Sequence, residues 1–385
     1  MNTVAIDIRL IGSKRTGDEA VFRNLVRELL RRNDGLRYVL LTDRHGAERE
    51  ILESVGCDGA LPKNAEIRVL PSRNRFTWNL ISVPSFLFHE RIDVFHTQYI
   101  LPMAIPRRTR VVVHVHDVSF RAFPKLIGIV DRIFLSIFIP HAMRRADLVV
   151  VPSEFTRDEV VAYYGTGTER VLVVPNAVDP GFLADGALSG DGRRVREAYG
   201  LPERFVLSVG TMQPRKNIPV LVRAFAALRS RMSDVSLVLV GGRGGRHYDT
   251  AIDSAIRDTN LDGAVLFPGY VAQSDMPELY AAAEALIFPS RYEGFGIPLL
   301  EAFAAGTPVA ASDIPPFHEV GGDAVTYFDP SNVAACAKTL YTLLTDSRLR
   351  DRIRRSGRDR LDMFSWPESA AILAGAYREL SGHNQ

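Results

Sequence analysis

FPSRYEGFGIPLLEAFAAGTP, running from Phe288 to Pro308, carries the strongest structural signal in this chain of 385 residues. It opens at the end of the apolar run Ala285-Leu286-Ile287-Phe288, which reads as a buried parallel strand. Glu293, Gly294, Phe295 and Gly296 follow as a loop. Pro298 stands where a first helical residue belongs, and Leu299 to Ala305 has good helix propensity up to a stop at Gly306. Glycines leave the backbone bare where the first N–H groups of a helix point outward, which makes an anion site. Two carboxylates flank that site, Glu293 in the loop and Glu301 about one turn into the helix, with seven residues between them. Amides suit phosphate and carboxylates suit hydroxyl pairs. The implied ligand is a diphosphate joined to two diol-bearing rings.

Glu, seven residues and Glu, written EGFGIPLLE and preceded by Pro289-Ser290, resembles the signature of the retaining GT-B glycosyltransferases of glycosyltransferase family 4. The match is specific because the strand, Gly294-Phe295-Gly296, Pro298 and the second Glu fall in one register. The resemblance runs from Val4 to Leu380 and is densest between Leu266 and Asp329. It implies an α/β chain of two Rossmann-like, doubly wound parallel-sheet domains facing a central cleft. Residues 1–184 would be the acceptor-binding domain, 185–203 a linker and 204–365 the nucleotide-sugar domain. Residues 366–385 would form a helix crossing back to the first domain.

The totals agree with that division. At 46% hydrophobic and 24% charged, the chain is too long for one ordinary core, so two domains are expected. A formal net charge of +2, with no basic block interleaved with aromatics, gives no reason to expect nucleic acid. Cys57 and Cys336 lack metal-ligand spacing and read as free thiols in a reducing compartment. No signal peptide precedes Val4, and no apolar run reaches the about eighteen residues that a membrane span needs, so the cytoplasm is the expected location.

In the first half, Val4 to Ile8 reads as a strand and Asp18 to Arg32 as a helix with Val21, Phe22, Leu25, Val26, Leu29 and Leu30 on one stripe. The loop between them resembles the family's first phosphate-side loop, in which Gly17 would let the backbone approach the donor. The family's second glycine is missing, and Asp18 and Glu19 intervene. Strands are expected at Tyr38–Thr42 and Ile67–Leu70, and a mostly buried helix, broken near Pro84, from Phe76 to Phe88. Val111 to Asp117 reads as a strand whose alternation puts His114 and His116 on one face, His116 at the carboxyl edge where open α/β sheets bind ligands. The phrase HDVSF resembles the family's His-Asp segment, so His116 is the position implied to lie near the sugar. The apolar stretch Pro124 to Met143 is interrupted by Asp131 and Arg132. It reads as a core helix or, since some family members rest on membranes, as a peripheral contact with the inner membrane.

The glycine-rich run Asp185 to Gly192 reads as the linker. Phe205 to Gly210 opens a second βα domain, followed at once by Thr211-Met212-Gln213-Pro214-Arg215-Lys216-Asn217 and a helix from Ile218. Basic groups at a strand's carboxyl end are well placed to neutralise phosphate. The resemblance maps the family's lysine onto Lys216. The family's arginine directly after the glycine is replaced here by Thr211, which makes Arg215 the substitute candidate. Gly241 to Arg246 reads as a mobile turn, with Arg243 a secondary candidate for phosphate. Val265 to Val271 resembles the base-side strand, whose backbone near Tyr270 and Val271 would meet the nucleobase.

The chemistry implied is transfer of a hexose from a nucleotide diphosphate sugar to a glycan or lipid-linked glycan acceptor. His116, Glu293, Lys216 and Arg215 are the catalytic candidates. Gly17, Arg215, Lys216, Tyr270, Val271, Glu293, Gly294, Phe295, Gly296, Ile297 and Glu301 are the donor-binding set, with no protein nucleophile, cofactor or essential metal expected. Glu301, near a helix amino terminus, should have a lowered pKa, the wrong direction for a glycosidase acid. A nucleotide-sugar epimerase and a non-catalytic nucleotide-sugar binder are the other rivals. HDVSF, QPRKN and SDIPPFHEV most resemble bacterial mannosyltransferases of surface-polysaccharide and O-antigen assembly, making GDP-mannose the leading donor ahead of UDP-sugars.

Overall fold

The computed structural model describes residues 1–12, 17–57, 59–124, 129–184, 192–243 and 248–382. The run 185–191 read as linker, the turn residues 244–247, and residues 125–128 at the start of the apolar stretch lie outside them. The chain divides into two compact units. One comprises Met1–Arg121, Gly128–Asn176 and Ser365–Gln385, the other Ala122–Ile127 and Ala177–Phe364.

Among the described residues, the first unit holds a parallel sheet of β1 (Asn2–Asp7), β2 (Leu36–Thr42), β3 (Ala65–Val69), β4 (Val94–Gln98), β5 (Arg110–His114), β6 (Leu148–Val151) and β7 (Val171–Val173). Their order is β3-β2-β1-β4-β5-β6-β7, so the winding reverses between β1 and β4. The helix Gly17–Arg31 lays Val21, Phe22, Leu25, Val26, Leu29 and Leu30 into the core, all buried. The final helix, Trp366–Gly382, belongs to this unit. Ser369 donates to the Pro175 carbonyl at 2.6 Å, and Asn2 donates to Ser381 at 2.8 Å.

The helix expected to be mostly buried and broken near Pro84 does change course there, but it is not mostly buried. A short helical turn, Arg75–Thr77, passes into a π-helical segment, Trp78–Ser82, and then a helix Val83–His89. Pro84 has no N–H to give to the preceding turn, and the backbone widens just before it. The ribbon buries Trp78, Asn79, Val83, Pro84 and Leu87, and the Trp78 indole donates to Asp7 at 2.8 Å. Phe76, Leu80, Ile81 and Phe88 are 47%, 51%, 63% and 54% exposed, because a ribbon lying on one surface buries only one face. The apolar stretch beyond Pro124 is helical over Ile129–Arg145. No helix among the described residues is long and apolar enough to cross a membrane.

The second unit holds β8 (Phe205–Val209), β9 (Ser236–Val240), β10 (Val265–Leu266), β11 (Ala285–Phe288), β12 (Val309–Ser312) and β13 (Thr326–Phe328), ordered β10-β9-β8-β11-β12-β13. Every pairing is parallel. The base-side strand is shorter than its sequence suggests, since only Val265 and Leu266 pair with β9. Alternate residues serve opposite cores. Phe205, Leu207, Leu286 and Phe288 enter one, while Val206, Ala285 and Ile287 enter the other, as a strand covered on both faces requires. The winding reverses between β8 and β11, which are adjacent. In open α/β sheets ligands bind at the strand carboxyl ends beside such a reversal.

Candidate active site

Two loops leave the sheet at that reversal. After β8, Pro214–Lys216 forms a single 3-10 turn, and Asn217 follows with a positive φ of 58° before the helix Ile218–Arg229 begins. After β11, residues 289–296 lead into the helix Ile297–Ala305. Gly296 precedes that helix at φ 117°, a conformation that side chains with a Cβ resist, and Gly306 ends it at φ 69°. Pro298 lies in its first turn, Leu299 N–H turns back to the Gly296 carbonyl at 2.9 Å, and no side chain caps the helix, which suits its amino terminus to an anion.

The loops are tied together. Arg291 N–H donates to the Arg215 carbonyl at 2.8 Å. The buried Asn217 amide donates to the carbonyls of Pro289 at 3.1 Å and Pro330 at 2.8 Å. Across this seam Glu293, 7% exposed, meets both basic candidates. Arg215 Nη1 stands 2.8 Å from one carboxylate oxygen, and Lys216 Nζ bonds the other. Ser290 Oγ donates to that second oxygen at 2.7 Å. Burial pushes the Glu293 carboxyl upward, but the charges of Arg215 and Lys216 outweigh it and, with the Lys216 and Ser290 hydrogen bonds, hold it at about 2. Lys216 also lies 4.9 Å from the Phe288 ring centre, beside a small cavity lined by Gly210, Thr211, Met212, Leu239 and Pro289.

Glu301 behaves oppositely to expectation. It is the fifth residue of its helix, past the reach of the amino-terminal dipole, and no cation pairs with it among the described residues. Burial raises its carboxyl from the ordinary glutamate range to about 7, against a lowering hydrogen bond from Tyr280 and with a further rise from Asp179. A lowered pKa therefore does not count against the glycosidase rival. What does count is that both Glu293 oxygens are taken up by Arg215, Lys216 and Ser290, which leaves no carboxylate presented as nucleophile or base.

Of the remaining donor-binding candidates, Gly294, Phe295, Gly296 and Ile297 lie on the loop and helix start just described, with Phe295 buried against Phe364. Val271 is buried and Tyr270 is exposed, both beyond β10. Arg243 is engaged elsewhere, 2.7 Å from Asp253 and 4.5 Å over the Phe267 ring.

His116 and Gly17 belong to the first unit. Gly17 begins its helix, and a Cβ there would meet nothing within 4 Å. His116 follows β5 and stacks on His114 at 4.5 Å between ring centres, on the same side as expected. Its Nε2 lies 2.9 Å from Gln98 Oε1. His114 stacks in turn on His96 at 5.7 Å, and the Phe22 ring abuts all three imidazoles. Burial drives the pKa of His96 to about 3 and that of His114 well down, so both rings are neutral.

Sequence reasoning missed Asn217, Ser290, Tyr280 and Gln98. Asn217 carried a signal, since Asn before a helix with Pro219 in its first turn marks an amino-terminal cap. The others have roles set by residues distant in sequence, and nothing local marks them.

Residues 16–182 match the family description Glycosyltransferase Family 4, and residues 193–360 match Glycosyl transferases group 1. The chain is 29% identical over 310 residues to O-antigen chain mannosyltransferase B of Escherichia coli, covering 80% of this chain and 77% of that protein. It is 26% identical to serotype-specific mannosyltransferase WbdA of Escherichia coli over 63% of this chain, but spans only 30% of that longer protein. Among solved structures, Anabaena HepE in complex with UDP-glucose superposes with a TM-score of 0.74 at 18% identity, over 98% of this chain and all of HepE, and shares its GT-B fold.

Proposed function

Because this chain belongs to the glycosyltransferases, with a family 4 amino-terminal half and a group 1 carboxyl-terminal half, we propose that it moves mannose from GDP-mannose onto a glycan or lipid-linked glycan acceptor. Likeness to the O-antigen mannosyltransferases supports the sugar and the setting in surface-polysaccharide assembly. The reaction breaks the bond between the anomeric carbon and the diphosphate and forms one to an acceptor oxygen, whose proton is released. Charge builds on the departing diphosphate, and the proposal gives it to Lys216, Arg215 and the amides of Phe295, Gly296 and Ile297, without a metal ion. Glu301 accepts hydrogen bonds from the ribose hydroxyls. The backbone at Tyr270 and Val271 borders the base, His116 and Gly17 stay the first unit's candidates, and configuration is retained.

The observation that carries this reading is the three-way contact of Arg215, Lys216 and Glu293 at the sheet's reversal point. A carboxylate held by two cations is what an incoming diphosphate would displace. Phosphate takes over the cations, and Glu293 is released to accept hydroxyls of the donor sugar. Cys57 and Cys336 form no disulfide, in keeping with a cytoplasmic setting. Peripheral contact with the inner membrane, through the Ile129–Arg145 helix, belongs to the same proposal. The test is incubation with GDP-mannose and with UDP-glucose, following nucleoside diphosphate release with and without a lipid-linked glycan acceptor. Acceptor-dependent GDP release supports the reading. Release from UDP-glucose alone would move the donor assignment to UDP, and an altered sugar without any release would favour the epimerase.

A further inference from the structure

We propose that Tyr280 is a positioning residue for nucleotide recognition: its hydroxyl holds one oxygen of Glu301 so that the other faces the ribose diol. The inference rests on the reading of Glu301 as the ribose-binding carboxylate. Tyr280 lies on the helix Met276–Ala282, two elements away from Glu301 in sequence, and donates to Glu301 Oε2 at 2.5 Å. The phenol is fully buried and cannot swing away. Phe182 packs edge-on against its ring at 5.5 Å between centres, and the Thr307 hydroxyl binds the Tyr280 backbone carbonyl at 2.6 Å. Burial keeps the hydroxyl protonated, so it has a proton to donate to Glu301.

Both Glu293 oxygens are taken by Arg215, Lys216 and Ser290. In Glu301, Oε2 is engaged by Tyr280, Oε1 has no hydrogen-bond partner among the described residues, and part of the residue meets solvent. A glutamate on a helix surface would turn freely about its side-chain torsions and lose that freedom on binding. A buried phenol that already fixes the carboxylate plane removes the loss, and Oε1 is left held in place to accept from the vicinal diol.

The test is calorimetric titration of the full chain with GDP, UDP and their 2′,3′-dideoxy forms, on wild type, Tyr280→Phe, Glu301→Gln and the double variant. Phenylalanine keeps the ring against Phe182, and a thermal melt checks that the fold is retained. Wild type is expected to bind the preferred ribonucleotide about tenfold more tightly than its dideoxy form. Tyr280→Phe should cut that ratio to about threefold by weakening the ribonucleotide alone, and the double variant should be no worse than Glu301→Gln. An unchanged ratio in Tyr280→Phe would sink the positioning role while leaving Glu301 at the ribose. Equal weakening of both forms would show a merely structural tyrosine. If wild type bound both forms alike, or bound neither nucleotide, the ribose reading itself would be lost.

Discussion

Gly241 and Gly210 meet so closely that a Cβ on Gly241 would stand 2.0 Å from the Gly210 carbonyl oxygen, and Gly241 holds a φ of 151°. Gly241, the first residue of the run read as a mobile turn, is packed at the junction between the ends of β8 and β9. Gly210 opens the loop that carries Arg215 and Lys216. Gly241→Ala should therefore push that loop aside, costing about 1–3 kcal/mol of stability through overpacking and weakening nucleotide affinity as well. Denaturant melts and titration with GDP check both halves of the statement. A variant with unaltered affinity would refute the coupling.

Lys216→Ala removes a cation that the proposal sets against the leaving diphosphate. The expected loss is about 3 kcal/mol of barrier, a hundredfold or more in kcat. Steady-state rates with saturating acceptor measure it, and a change confined to KM would argue against a role in the transition state.

The two glutamates should affect stability in opposite pH ranges. Glu293 is held at about 2, below an unfolded glutamate, so it contributes stability above the unfolded pKa that is lost as pH falls towards 2. Glu293→Gln should be more destabilising at pH 7 than at pH 3. Glu301 is raised to about 7, so the folded chain holds a proton that the unfolded chain has shed, and stability falls as pH rises from the ordinary glutamate range to about 7. Glu301→Gln should gain on wild type between pH 5 and pH 8. Melts of both variants against wild type from about pH 3 to about pH 8 decide the matter, and parallel curves would refute the assignments.

Nucleotide preference can be read without an acceptor. A nucleotide at 100 times its dissociation constant stabilises its binder by about 2.7 kcal/mol, enough to move a melting curve clearly. GDP is expected to produce the shift. If UDP shifts the melt and GDP does not, GDP-mannose is the wrong donor.

Legibility in the sequence followed how local each cause is. Gly296, Pro298 and Gly306 act within a few residues of themselves, so the helix from Ile297 to Ala305 could be placed from letters alone. The stripe from Val21 to Leu30 was equally plain. Glu301 was misjudged because proximity to a helix start is visible in sequence, whereas its burial, and the absence of a paired cation among the described residues, depend on distant segments. The ribbon from Phe76 to Phe88 failed for the same reason. Its composition says apolar, but which face meets the sheet was decided by Trp78 reaching Asp7. Ser290 and Gln98 are ordinary polar residues until the fold sets them beside Glu293 and His116.

Asn217 has a consequence for ligand entry. One side-chain amide bridges carbonyls that lie 72 and 113 positions further along the chain, so three separate turns are clasped at a single point. A nucleotide bound as proposed would meet, among the described residues at this clasp, a surface already set. Little chain entropy is given up on capture, and uptake should run at the pace of encounter rather than of loop closure.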